Sequence, residues 1–196
     1  MSLPPLILAS ASPRRSELLA ALHLPFRVIP SDAAEIHEAQ LTARELAQLN
    51  AYRKARAVAK RYPDSLVLGA DTLVYMGTEL FGKPRDLPEA RRMLARLQHN
   101  SHEVVTGICM VHLRAHQERL LVESTVVRFK PLSHEAIDQY LHSINPLDKA
   151  GGYAIQEGGE VLVESLVGSY SNVVGLPVER LKTELERWSS DQSPAR

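Results

Sequence analysis

Cysteine is all but absent from this chain of 196 residues: Cys109 is the only one. A single thiol builds neither a disulfide framework nor a four-ligand zinc site. Its position inside the apolar run 104–113 marks it as a small buried hydrophobe. Aromatic residues make up 5% of the sequence and do not interleave with basic ones, which argues against the stacking platform of a single-stranded nucleic-acid binder. Net charge is also missing. Lys plus Arg and Asp plus Glu number 23 each, without the basic excess of a general nucleic-acid or membrane-surface protein. No apolar run approaches the roughly 18 residues of a spanning helix. The opening Met-Ser-Leu-Pro-Pro has no basic region followed by an apolar one, so secretion is not expected and a cytoplasmic location is. The eight histidines form no metal set. There is no His-Glu-Xaa-Xaa-His helix, no Gly-Xaa-Ser-Xaa-Gly elbow and no full phosphate-binding loop.

The apolar residues that are present fall into helix and strand periods. Leu6, Ile7, Leu8 and Ala9 read as a buried strand, and Ser12-Pro13 as the N-cap and first turn of a helix with Leu18, Leu19 and Leu22 on its apolar side. A second strand is expected over 26–29. Thr42 and Glu45 form a capping box for a helix reaching about Arg61, with Ala47, Ala51, Ala55, Val58 and Tyr62 on one face. A strand over 66–68, a hairpin over 73–80 and a helix opened by Pro88 follow. Two long strands, 104–113 and 120–129, are expected to pair antiparallel. Ser133 caps a short helix, 161–163 reads as a strand, 168–175 as a loop, and Pro177 starts a last helix with Val178, Leu181, Leu185 and Trp188 inward. The tail from Ser189 to Arg196 is expected to fray. The mixture predicts an α/β fold: a mixed, twisted central sheet with flanking helices, as one domain of 196 residues whose two lobes surround a cleft.

The chemistry gathers around one acidic point. In Leu66-Val67-Leu68-Gly69-Ala70-Asp71-Thr72 an apolar strand runs into a carboxylate, and in open α/β sheets ligands bind at the carboxyl ends of strands. An Asp in that place also serves as a turn former or a helix cap. Arg14 and Arg15 stand in the first turn of a helix, the end where the macrodipole disfavours cations; a phosphate bound to the free N–H groups there reverses the sign, and Ser10 adds a hydroxyl. Lys54 lies on the alanine side of its helix, where it either snorkels to solvent or meets a partner such as Asp71 or a phosphate. Glu35, in the acidic loop 32–38, is a candidate to join Asp71 at a magnesium ion, which favours carboxylates and substrate phosphates while keeping several waters. Lys83-Pro84 places a cation rigidly after the hairpin. His102 reads as structural.

Taken together, Leu8-Ala9-Ser10-Ala11-Ser12-Pro13-Arg14-Arg15-Ser16-Glu17-Leu18-Leu19, Gly69-Ala70-Asp71-Thr72, Gly82-Lys83-Pro84, Val105-Thr106-Gly107, Asp148-Lys149-Ala150-Gly151-Gly152-Tyr153 and Val174-Gly175-Leu176-Pro177 resemble, in the same order, the motifs of the Maf family of nucleoside triphosphate pyrophosphatases. The resemblance covers residues 6 to 188. It implies hydrolysis between the α- and β-phosphates to a nucleoside monophosphate and pyrophosphate, a divalent cation (Mg2+ or Mn2+), and a cleft between two lobes. It implies Asp71 as proton acceptor, Lys54 and Lys83 as catalytic cations, Arg15 and Ser10 at the phosphates, and Glu35 with Asp71 at the metal. Arg53 stands where the family usually has a glutamate, and the residues around Glu35 depart from the usual acidic pattern.

Arg14, Thr72 and Gln156 resemble the selectivity residues of the dTTP/UTP group within that family. The physical reading agrees. Uracil and thymine offer two carbonyl acceptors flanking an N3–H donor, which a guanidinium and a carboxamide can satisfy. Cytosine leaves buried partners unpaired. The resemblance leaves open a substrate that is a modified nucleotide, a regulatory role in septum formation, and a homodimer.

Overall fold

Runs of fully buried apolar residues build the sheet in the computed structural model, which describes residues 3–38 and 40–191. The order is β1 (Leu6–Leu8), α1 (Pro13–Ala20), β2 (Phe26–Val28), α2 (Ala43–Ala59), β3 (Leu66–Met76), β4 (Glu79–Phe81), α3 (Leu87–Leu97), β5 (Ser101–His112), β6 (Gln117–Phe129) and α4 (His134–Ser143). Two 3-10 turns, Pro146–Asp148 and Ala150–Gly152, precede α5 (Gly159–Leu162), β7 (Val163–Val167), α6 (Tyr170–Val174) and α7 (Val178–Asp191). The sheet is mixed, in the order β2-β1-β3-β5-β6-β7, with β4 on β3. No described helix is long and apolar enough to cross a membrane.

The chain divides into two compact units, and β3, β5 and β6 contribute residues to both. The first unit comprises the chain up to Asp71, Thr106–Glu123 and the chain from Gly175. There β1 runs parallel to β2 and to β3, with Leu8 opposite Val28 and Leu68. The two-residue period of a strand sends Leu66, Leu68 and Ala70 to one face, with Leu19 of α1 and Leu181, Leu185 and Trp188 of α7. It sends Val67 to the other face, with Ala51, Ala55 and Val58 of α2. Two glycines let α2 come down on that second face. A Cβ on Gly69 would lie 2.4 Å from the Ala51 carbonyl oxygen, and one on Gly107 would lie 2.3 Å from that of Ala47. Ser12 caps α1, and Thr42 and Glu45 close the capping box at α2.

The second unit comprises Thr72–Val105 and Ser124–Val174. The β3–β4 hairpin pairs Met76 with Glu79 around Gly77-Thr78. Asp86 caps α3 and Ser133 caps α4, whose buried Leu94, Ile137 and Tyr140 pack with Phe81, Val127 and Phe129.

Several sequence expectations are corrected. The segment 161–163 is not a strand: Gly159–Leu162 is helical and the strand begins at Val163. The Val161 amide donates to the Gly158 carbonyl and Leu162 is fully buried, so packing overrides the β preference of valine. The expected loop 168–175 contains α6, a helix of 5 residues, too short to show a period. Helix α2 stops at Ala59, two residues before the expected Arg61. Helix α7 continues through Ser189 to Asp191, and the rest of the expected tail lies outside the described residues.

Candidate active site

Asp71 does not follow a strand, as its sequence context suggests; it lies inside the 11-residue β3, and is neither a turn former nor a cap. What ends near it is the neighbour. β1 pairs with β3 only as far as Leu8 opposite Leu68, so Asp71 stands just past the carboxyl edge of the parallel part while its own strand continues. Alternation puts its side chain on the strand face of Val67 and Gly69, toward α2. It is 3% exposed, and a buried carboxylate needs partners.

Helix α2 supplies them. Lys54 Nζ donates to Asp71 Oδ1 at 2.6 Å and to Glu35 Oε1 at 2.6 Å. One turn earlier, Asn50 Nδ2 donates to Asp71 Oδ2 at 3.2 Å. Residues four apart share a helix face, and the bare strand at Gly69 lets that face reach the carboxylate. Lys54 therefore has the carboxylate partner its position asked for. Arg53 points outward and is exposed, so the departure from the family's usual glutamate falls outside this cluster.

Helix α1 adds a second cation. The Arg15 guanidinium donates from Nε to the Gly175 carbonyl at 2.8 Å and from Nη1 to Ser10 Oγ at 3.4 Å. Ser10 is buried and also accepts from the Ser12 amide at 3.2 Å. Burial lowers the pKa of Arg15, the carboxylates of Asp71 and Glu35 push it back up, and Arg14 lowers it; a guanidinium stays charged throughout. Arg14 is half-buried in the same first turn.

Ser10, Arg14, Arg15, Glu35, Lys54 and Asp71 thus belong to one unit, in which the cations outnumber the carboxylates. Thr72, Lys83 and Gln156 belong to the other. Thr72 follows Asp71 directly, so its side chain leaves the opposite face of β3. Lys83 is exposed after β4, and the preceding Gly82 accepts from the Gly151 amide at 3.0 Å. Gln156 is exposed in the turn between Tyr153 and α5. That turn is held by Lys149, a buried cation whose Nζ lies 2.8 Å from the Asn145 carbonyl, 2.9 Å from Asp148 and 3.4 Å from Glu157.

Asn50 escaped the sequence reading. Its only signal was a polar residue on an alanine face, four positions before Lys54. Among the described residues no group of three or more His, Cys, Asp or Glu side chains is arranged to hold a metal. The pair Glu35 and Asp71 does converge on a single cation, the Lys54 ammonium. Two hard oxygen ligands suit magnesium, which completes its shell with water and phosphate. Cys109 is buried, and burial pushes its thiol up to about 12, which leaves it inert. His102 is buried against Phe129 and Tyr153, the structural place expected for it.

A family model described as "Maf-like protein" matches residues 5–188. The chain is similar to curated proteins named dTTP/UTP pyrophosphatase. It is 49% identical to that of Symbiobacterium thermophilum over 175 residues, 89% of each chain. It is 44% identical to that of Ruminiclostridium cellulolyticum over 93% of this chain and 95% of the relative. It is 48% identical to that of Myxococcus xanthus over 93% and 91%.

Proposed function

Because the chain belongs to the Maf-like family, as its match over residues 5–188 shows, we propose that it hydrolyses dTTP and UTP between the α- and β-phosphates. The products are the nucleoside monophosphate and pyrophosphate. The observation that carries this reading is the buried Asp71 carboxylate held by Lys54 beside Glu35 and the Arg15 helix start. It brings a proton acceptor together with two cations, Lys54 and Arg15. Attack of water on phosphorus needs both.

In the proposed reaction Asp71 accepts the proton of the attacking water. Its carboxylate is already oriented by Lys54 and Asn50, so little reorganisation is required. Arg15 and Ser10 take phosphate oxygens at the start of α1, which also relieves the unfavourable placement of Arg14 and Arg15. Lys54, sharing a carboxylate pair, neutralises charge as it develops. We extend to Lys83 the role of a further phosphate cation, and to Arg14, Thr72 and Gln156 the reading of the pyrimidine edge. Glu35 and Asp71 would hold a Mg2+ or Mn2+ ion, which when bound neutralises phosphate charge and makes bound water more acidic. We place the reaction in the cytoplasm, where nucleoside triphosphates are found.

A panel of purified triphosphates, with products separated by anion exchange, tests the reading. The expected outcome is UMP and dTMP with pyrophosphate, lost on chelation of divalent cations and restored by Mg2+ or Mn2+. Orthophosphate as first product overturns it. Preference for modified bases over dTTP and UTP would move the assignment to a pyrophosphatase for altered nucleotides.

A further inference from the structure

We propose that Asn50 is a positioning residue for this reaction, one carboxamide that ties the Glu35 loop and the Asp71 carboxylate into a single preset pair. The proposal rests on the function argued above. Asn50 is 1% exposed, on the buried side of α2 with Ala47, Ala51, Ala55 and Val58. Its Oδ1 accepts from the Ile36 amide at 3.0 Å, and its Nδ2 donates to the Ile36 carbonyl at 3.2 Å and to Asp71 Oδ2 at 3.2 Å. The first two bonds grip both polar groups of one peptide residue, so they fix the backbone directly after Glu35. The third uses the remaining N–H to hold the far oxygen of Asp71. Oδ1 of Asp71 is thereby left to Lys54, which also meets Glu35.

The orientation of the amide is dictated by these partners. Ile36 N–H requires an oxygen opposite it, and the carboxylate requires a donor. Lys54 joins the two carboxylates directly through its ammonium, and Asn50 adds a second tie that runs through the backbone: Glu35 to Ile36 by one peptide bond, Ile36 to Asn50 by two hydrogen bonds, Asn50 to Asp71 by one. A leucine of similar size fills the volume and makes none of these bonds. Groups that orient ligands and bases from behind are worth roughly 10- to 100-fold in affinity or activity.

The experiment compares wild type with Asn50→Leu and, as a smaller change in case the leucine variant folds poorly, Asn50→Ser. Three quantities are measured: kcat and KM for UTP at saturating Mg2+, Mn2+ binding to the nucleotide-free protein by electron paramagnetic resonance, and hydrogen exchange at the Ile36 amide. The expected result is a kcat lower by at least ~10-fold with KM changed less than about 3-fold, Mn2+ binding weaker by about 10-fold, and faster exchange at Ile36. An active wild type with folded variants that keep its kcat and its Mn2+ affinity overturns the role of Asn50 and leaves the proposed function standing. A wild type inactive on UTP and dTTP overturns the function itself.

Discussion

The ammonium of Lys54 lies 2.6 Å from the Asp71 carboxylate, a helix side chain meeting the middle of a strand. The contact depends on Gly69, two residues before Asp71 on the same strand face, where any Cβ would collide with the Ala51 carbonyl. Packing and chemistry are therefore coupled. The depth to which α2 settles on β3 decides whether the cation reaches the carboxylate.

That coupling can be tested at the glycine. In Gly69→Ala the new methyl has to displace α2 backbone, an overpacking cost of about 1–3 kcal/mol. For a chain of this length the thermal midpoint should fall by roughly 3–10 °C. Gly82→Ala meets open space and should stay within about 0.5 kcal/mol of wild type. Calorimetry on the two variants checks the contrast, and equal midpoints would show that α2 does not approach β3 so closely.

Asp71→Asn keeps the shape and loses the proton acceptor. Lys54 retains Glu35 as a partner, so the variant should fold with a circular dichroism spectrum like that of wild type. Its kcat should drop by at least ~10²-fold. Steady-state turnover of UTP measures this, and near-normal turnover would remove Asp71 from the reaction.

Base selection is separable from catalysis. Gln156 is exposed in a turn that Lys149 anchors through Asp148 and Glu157, so replacing it disturbs no core contact. If it reads the base, Gln156→Ala should lower kcat/KM for UTP by roughly 10- to 100-fold and lower the ratio of UTP to CTP activity with it. Equal losses on both substrates would assign it to phosphates or fold.

His102 predicts an acid limb in stability. Burial lowers its pKa to about 4, below the roughly 6.5 of an exposed imidazole. Its Nε2 and the Tyr153 hydroxyl form a 2.8 Å hydrogen bond, and its Nδ1 has no hydrogen-bond partner among the described residues. The unfolded chain therefore takes up a proton that the folded protein refuses. Above about pH 6.5 His102 has no effect; as pH falls from there toward 4 stability declines, by up to about 3 kcal/mol. Urea unfolding of His102→Gln between pH 7 and 4.5 should show a shallower decline than wild type. Parallel profiles would place the titration elsewhere.

Some elements could be read from the chain because their cause is local. A Ser-Pro start, the Thr42–Glu45 capping box and the alanine period of α2 are written within a few residues, and each appears where the spacing puts it. The β3–β4 hairpin and the cap at Ser133 are local in the same sense. The short elements were not legible. Helices of four and five residues, Gly159–Leu162 and Tyr170–Val174, span little more than one turn, so no period accumulates, and Val161 favours a strand until the burial of Leu162 decides otherwise.

The candidate site divides along the same line. The amino-acid sequence by itself singled out the charged groups of the candidate site: a carboxylate after an apolar run, two arginines at a helix start, and a lysine on a small-residue face. Only the tertiary structure decided that Asp71 sits within its strand, past the end of β1, that Lys54 bridges Asp71 and Glu35, and that Asn50 holds both acidic segments. Those contacts join residues 14 to 21 positions apart in the chain. They exist because two glycines lower a helix onto a sheet, a distance that no local pattern encodes.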